Sequence, residues 1–250
     1  MAKRIVYKLS GLVTIVIFIV VSLSFTSIER KHMLFSNIQI VFKEPYQFVT
    51  TAEIETIVNK NFKGLNGALI DTINTEVIEN KIEENPWVKN AEVFKGYASS
   101  DSFNVTGGIK IYIEQEVPVL RVVDGASGYY VNSKGKHLPF SGSYTTKVTV
   151  YTGKIGDDEL INDLLSFEKA ITADPFLSAL VQQVDVQSDH ELILVPRVGD
   201  HVIEFGKIEN IEKKFRNLKA VYQNGFDEEA WYRYKKVSLK YKNQVICTLK

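Results

Sequence analysis

The residues that could carry chemistry in this chain are few and far apart. There are four histidines, His32, His137, His190 and His201, and one cysteine, Cys247. A zinc site needs ligands brought together by close pairs such as HxxxH or HxH. None of the four histidines forms such a pair, and no cysteine joins them. His190-Glu191 lacks the second histidine of a zinc-protease helix. No G-x-S-x-G, GxGxxG or Walker pattern occurs, and Gly107-Gly108 reads as a loop hinge. Carboxylates stand side by side at Glu83-Glu84, Asp157-Asp158 and Glu228-Glu229. A glycosidase would need two of them facing one sugar. These pairs fall in or beside predicted helices on their polar side, where they read as caps or solvated faces. Asn104-Val105-Thr106 fits the glycosylation pattern and reads as loop. Trp87 could stack on a ligand; its other reading, a core anchor where a helix hands over to a strand, is the one adopted. Lys213, Lys214, Arg216 and Lys219 read as a solvated helix face. The residues therefore predict no catalytic group, no metal, no cofactor and no small-molecule substrate.

The stretch that must position everything else is Leu9 to Ile28, LSGLVTIVIFIVVSLSFTSI, which contains no charged residue. Twenty helical residues span about 30 Å, the thickness of a bilayer core. A helix hides its backbone polar groups, so the stretch is predicted to be a single transmembrane helix. Lys3, Arg4 and Lys8 precede it, and Arg30 and Lys31 follow, a bias that favours a cytoplasmic N-terminus. The alternative is a cleaved signal peptide, with Leu12–Val21 as its apolar core and Ser22-Leu23-Ser24 as a loose cleavage site. Both readings export the rest of the chain.

About 220 residues follow, enough for two small domains or one large one. Apolar residues make up 45% of the chain and charged residues 24%, an ordinary globular balance. From Lys31 onward there are 26 basic and 29 acidic residues, a net charge of −3. That excludes the electrostatic footprint of a nucleic-acid binder. With one cysteine, an exported domain has no internal disulfide and must be held by its core. Cys247 reads as a small apolar strand residue.

The first exported region reads as β-α-α-β-β. Ser36–Phe42 alternates as a strand. Thr50 and Glu53 stand in a capping-box relation at the start of a helix to about Phe62. A second helix, about Asn74 to Asn85, carries Ile73, Val77, Ile78 and Ile82 at helical spacing and ends before Pro86. Trp87–Phe94 is a strand, Gly96–Gly108 a long polar hairpin loop, and Ile109–Val117 the third strand. This order, with Pro86-Trp87-Val88-Lys89-Asn90-Ala91-Glu92-Val93 at the second strand and Glu116-Val117-Pro118 after the third, resembles a POTRA domain.

Further on, Tyr129–Asn132 and His137–Phe140 read as a hairpin, and Val148–Thr152 as a strand. Asp157 caps a helix to about Ala173. Three strands follow, at 181–187, 191–198 and 201–205, then a helix over Ile208–Tyr222. Two terminal strands turn at Lys242-Asn243-Gln244. No internal repeat appears, so tandem copies of the first domain are not indicated. Tyr129-Tyr-Val-Asn132 is similar to the Tyr-x-Val-Asp-x-x-Gly stretch of the bacterial FtsQ/DivIB cell-division family, with Asn132 in place of the Asp. Val237-Ser-Leu-Lys-Tyr-Lys-Asn-Gln-Val245 resembles that family's Val-Asp-Leu-Arg-Tyr-x-x-x-Val ending. An anchor followed directly by one POTRA domain has the same likeness.

The resemblance implies an α+β chain: a short cytoplasmic tail (1–8), a single transmembrane helix (9–28), a POTRA domain (36–120), and a mixed antiparallel β domain with two helices (121–250). It implies a non-enzymatic, bitopic divisome scaffold of the cytoplasmic (inner) membrane. The bulk of such a chain would be periplasmic and expected at the septum. It would recruit FtsB-like and FtsL-like partners and help regulate septal peptidoglycan synthesis. The final strand is expected at a sheet edge, where an uncovered edge is a liability or a docking site, and the match of Tyr241 and Val245 to the family ending points the same way. Partner binding by β-augmentation is therefore expected at Tyr241, Asn243, Val245, Ile246, Cys247 and Leu249, the alternative being that this strand simply completes the sheet. Val237, Leu239 and Tyr241 are expected to face the core there, and Ser238, Lys240 and Lys242 the solvent. Two other readings remain: a POTRA-bearing envelope assembly factor, and an exported cell-wall-processing enzyme with an unrecognised site.

Overall fold

The computed structural model describes residues 13–22, 33–101, 104–125, 127–226 and 230–250. Of the proposed anchor, residues 13–22 are helical, and Ile15 and Phe18 hold their apolar side chains in the open, at 61% and 72% exposure. The remainder of Leu9–Ile28 lies outside the described residues. Among the described residues no helix is long and apolar enough to cross a membrane. The chain divides into two units, Met1–Gln115 and Glu116–Lys250.

The first unit contains β1 (Phe35–Phe42), α1 (Thr51–Asn61), a short 3₁₀ turn (Ile70–Thr72), α2 (Thr75–Glu83), β2 (Val88–Asp101) and β3 (Asn104–Gln115). This is the β-α-α-β-β order with one 3₁₀ turn added. The sheet runs β1-β3-β2, with β1 parallel and β2 antiparallel to the central β3. Local chemistry starts both helices. Thr50 Oγ1 accepts from the Glu53 amide, and Glu53 accepts in return from the Thr50 amide at 2.7 Å, closing the capping box. Asn74 caps α2 through the Val77 amide. Ile54, Val58, Ile78 and Ile82 are fully buried, as are Ile111 and Ile113 of β3. Gln115 closes β3 as a satisfied buried polar group: its side chain accepts from the Val49 amide and donates to the Tyr46 carbonyl.

The Gly96–Gly108 hairpin is not a loop. Its backbone continues the β2–β3 ladder, with Gly96 opposite Gly108 and pairing out to Asp101 opposite Asn104. The glycines serve the neighbouring strand rather than a hinge. A Cβ on Gly108 would lie 2.0 Å from Asn37 Oδ1 and 3.1 Å from the Asn37 carbonyl of β1, so a side chain there would force the Asn37 side-chain amide to turn away. Composition pointed to a loop because glycine is also the commonest turn residue.

The second unit is a nine-stranded sheet. Its strands are β4 (Pro118–Asp124), β5 (Ser127–Asn132), β6 (His137–Pro139), β7 (Thr149–Gly153), β8 (Val181–Val186), β9 (Leu192–Pro196), β10 (Val202–Gly206), β11 (Tyr234–Ser238) and β12 (Ile246–Leu249). The order is β12-β11-β10-β9-β8-β7-β4-β5-β6. The β10–β11, β7–β8 and β4–β7 pairs are parallel and the other five are antiparallel, so the sheet is mixed, with hairpins joined by three parallel pairs. Each parallel pair is bridged by a long connection, two of which carry helices. The expected pair of helices is present as α3 (Asp158–Thr172) and α5 (Ile211–Asn224), joined by the short α4 (Pro175–Leu180) and α6 (Ala230–Arg233). Asp174 caps α4 by accepting from the Phe176 and Leu177 amides, and Pro175 fits its first turn. Leu164, Phe167, Ile171, Phe215 and Leu218 of the helices form one core with Val184, Leu194, Ile203, Phe205 and Val237 of the strands.

Two polar groups deserve a physical account. Asn132 accepts from the Lys134 and Lys136 amides, both at 2.9 Å, and donates to Glu116 at 2.9 Å. An aspartate there would face the Glu116 carboxylate without a proton to share, which explains an amide at this turn. Glu168 of α3 is 3% exposed and accepts from Thr149 Oγ1 and Tyr151 Oη of β7, each at 2.8 Å. Burial pushes its carboxyl from 4.5 up to about 7, against the lowering effect of the two hydroxyls. Burial and the adjacent Glu168 also raise the Tyr151 hydroxyl.

Two outcomes follow. Trp87 is 4% exposed and stacks on Phe48 with ring centroids 4.0 Å apart and planes 1° from parallel. Trp87→Ala should therefore destabilise the first unit by about 3–5 kcal/mol; denaturant titration checks this, and an unchanged midpoint would mean the ring is not a core anchor. For Glu168 the folded-state value lies above the unfolded one. Its contribution is thus complete below about pH 4.5 and is lost as pH rises through about 7, a swing of about 3 kcal/mol at most. Glu168→Gln should flatten the fall in unfolding midpoint between about pH 5 and about pH 8; a slope equal to the wild type would contradict the assignment.

Candidate docking edge

The C-terminal hairpin is built on one buried anchor. Val237 and Leu239 are 0% and 3% exposed, and both belong to the core beneath the sheet. The Leu239 amide donates to the Glu204 carbonyl of β10 at 2.9 Å, after which the chain leaves the sheet. Asn243, at φ 64, supplies the left-handed conformation of the turn, and its side chain accepts from Lys213 of α5. β12 then returns antiparallel to β11, with Cys247 opposite Val237 and Ile246 opposite Ser238.

Polar side chains hold this hairpin in place. Lys236 pairs with Glu204 at 3.0 Å, Lys240 with Glu191, and Lys250 with Asp200 at 2.8 Å. The hydrogen bond to Glu191 raises the Lys240 ammonium. Beneath the hairpin, the buried His201 meets Tyr222 Oη through Nε2 and the Trp231 carbonyl, at 3.3 Å, through Nδ1. Gly199, at φ +83, makes room for this: a Cβ would stand 2.8 Å from both His201 Nδ1 and the Trp231 carbonyl. Burial lowers His201 and raises Tyr222, so both sit neutral in an aromatic layer with Phe226 and Tyr234. Burial likewise raises the Cys247 thiol, which packs against the core as a small apolar group.

β12 is the last strand at one edge of the sheet. Which of its amides face outward follows from two bonds. The Lys250 amide donates inward to the Arg233 carbonyl at 3.1 Å, and the Leu239 amide points away from β12 toward β10. Backbone groups alternate sides with period two along a strand. Ile246 and Thr248 therefore pair with Ser238 and Lys236, while Cys247 and Leu249 direct their N–H and C=O groups to the open edge. Among the described residues no side chain accepts from either outward amide. Around this edge Tyr241, Ile246 and Leu249 expose large apolar side chains, at 52%, 40% and 55%.

The six residues singled out in the sequence divide in two. Ile246, Cys247 and Leu249 lie on β12. Tyr241, Asn243 and Val245 lie in the connection before it, where Val245 packs partly against the core and Tyr241 stands in solvent. The expected alternation holds at Val237 and Leu239 but fails at Ser238, which is buried, and at Tyr241, which is exposed. β11 ends at Ser238, and a period-two pattern has no meaning beyond the last paired residue. The sequence offered no sign of the His201–Tyr222 layer, because its members come from three separated elements. Among the described residues no group of three His, Cys, Asp or Glu side chains could hold a metal ion.

Comparison with known proteins bears on the same two units. A POTRA-like domain family matches residues 36–106, and a family described as FtsQ/DivIB, C-terminal related matches residues 117–248. The cell division protein FtsQ of Rhodothermus marinus is 24% identical over 194 residues, covering 72% of this chain and 67% of that protein. A solved structure of the major extracytoplasmic domain of the cell division protein DivIB from Geobacillus stearothermophilus is similar at 13% identity. It covers 45% of this chain and 98% of that one, with a TM-score of 0.30. The second family spans more than half of the chain and takes in the whole nine-stranded sheet up to Thr248, and on that match the chain belongs to the FtsQ/DivIB family of cell-division proteins.

Proposed function

We propose that this chain is a membrane-anchored, non-enzymatic scaffold of the bacterial division machinery that binds its partners through the edge of β12. The observation that carries the proposal is the outward pair of backbone groups at Cys247 and Leu249, beside three exposed apolar side chains. An extended partner segment laid along β12 would complete those backbone hydrogen bonds, and Tyr241, Ile246 and Leu249 would supply side-chain contacts. The partners are FtsB-like and FtsL-like division proteins, and the assembly would regulate septal peptidoglycan synthesis carried out by separate enzymes. Membership of a cell-division family supports this over an envelope assembly factor or a cell-wall hydrolase.

The anchor reading rests on the uncharged run Leu9–Ile28 and on the exposed apolar side chains of its described part. With Lys3, Arg4 and Lys8 before the run, the N-terminus would be cytoplasmic and both folded units would lie outside, at the septum.

Proline substitution separates docking from folding. Cys247→Pro removes an outward amide and spares the ladder, whereas Thr248→Pro removes one that pairs with β11. Cys247→Pro should fold like the wild type by circular dichroism yet lose about tenfold or more in affinity for the FtsB-like partner. Thr248→Pro should lower the unfolding midpoint. Leu249→Pro, at the other outward amide, repeats the test nearer the terminus. Wild-type co-purification of both folded Cys247→Pro and Leu249→Pro would overturn the proposal.

A further inference from the structure

The first unit has its own exposed edge strand, and two carboxylates occupy it. β2 is terminal in the order β1-β3-β2, so the backbone groups that do not pair with β3 face outward. The Ala91 amide donates to Glu83 Oε1 at 2.9 Å, and the Val93 amide donates to Glu79 Oε1 at 2.7 Å. Glu79 and Glu83 are four apart on α2, each next to a fully buried isoleucine, Ile78 and Ile82. Four helical residues rise about 6 Å, and two strand residues advance about 7 Å. With α2 running antiparallel to β2, the two periods match, so consecutive turns of the helix meet consecutive outward amides. The carboxylates stand where the carbonyl oxygens of a neighbouring strand would stand.

We propose that Glu79 and Glu83 are a built-in block on the Ala91–Val93 part of the β2 edge, preventing that part from pairing with the β2 strand of a second copy of the chain. The occupant excluded is a second copy because of the ladder itself. β2 has 14 residues, and its hairpin with β3 extends to Asp101 opposite Asn104. Two such edges can pair antiparallel about a twofold axis with the same residues on both sides. An incoming strand must displace two side-chain hydrogen bonds and leave both acceptors in search of new donors.

The test removes the acceptors while keeping helix-forming side chains. The full chain carrying E79L/E83L should shift from the wild-type oligomeric state toward a dimer in sedimentation velocity. Under conditions where it is still monomeric, amide exchange at Ala91 and Val93 should speed up by about tenfold or more. E79Q/E83Q, which keeps an acceptor oxygen at each position, should behave like the wild type in both measurements. E79L alone supplies the exchange readout at Val93 if the double variant fails to fold. A folded Leu variant with wild-type sedimentation and unchanged exchange at Ala91 and Val93 would overturn the proposal. So would a Gln variant that dimerises as readily as the Leu variant, since charge rather than the acceptor would then be responsible.

Discussion

A strand at the edge of a sheet has backbone amides that point away from its only partner, and each must find an acceptor. This chain has two sheets and hence four such edges, and it treats them differently. β1 is covered where it begins: Phe35 donates to the Ala68 carbonyl at 2.8 Å, and the Gly67 amide donates back to Phe35 at 3.2 Å. β2 meets the carboxylates of α2. β6 is three residues long and contains Pro139, which has no amide to offer. At β12 the outward amides of Cys247 and Leu249 face, among the described residues, no acceptor of the chain's own. The functional reading depends on those two outward groups more than on any single side chain.

The support behind β12 is apolar and deep. Val237 and Leu239 fix β11 on the core of α3 and α5, and the neutral His201–Tyr222 pair fills the layer toward Cys247. Acid should weaken this layer, because a histidine whose value burial has lowered contributes stability above its unfolded value of 6.5 and loses it as pH falls. Glu168 acts in the opposite direction across the same sheet, since its neutral form is the one the fold prefers. The second unit is therefore squeezed from both sides of neutrality, by two buried groups that both want to be uncharged.

Much of this was legible in the sequence. Capping residues marked helix starts at Thr50 and Asp157, and alternation marked most strands, because both are local signals. What failed was non-local. The glycines of Gly96–Gly108 were read as turn formers, yet they lie in a paired ladder, and the residues beside and within β1 that Gly107 and Gly108 approach, Leu34 and Asn37, lie some seventy residues away. Tyr241 was placed on a strand by extending an alternation past the point where pairing stops. Glu83 looked like a cap or a solvated helix residue and Glu79 was not singled out; their partners are amides on another element, and nothing in the spacing of one helix says which strand lies beside it. The docking residues were found through the terminal position of their strand and its likeness to a family ending, whereas the direction in which each amide points came only from hydrogen bonds.

The central claim is that Cys247 and Leu249 present the free backbone of this chain to a partner. Residue-resolved amide exchange of the full chain, with and without the FtsB-like partner, tests it most directly. The account predicts new protection at Cys247 and Leu249 on binding, with Ile246 and Thr248 already protected in the free chain by their pairing with β11. Protection that appears elsewhere while the Cys247 and Leu249 amides exchange at their free rate in the complex would contradict it.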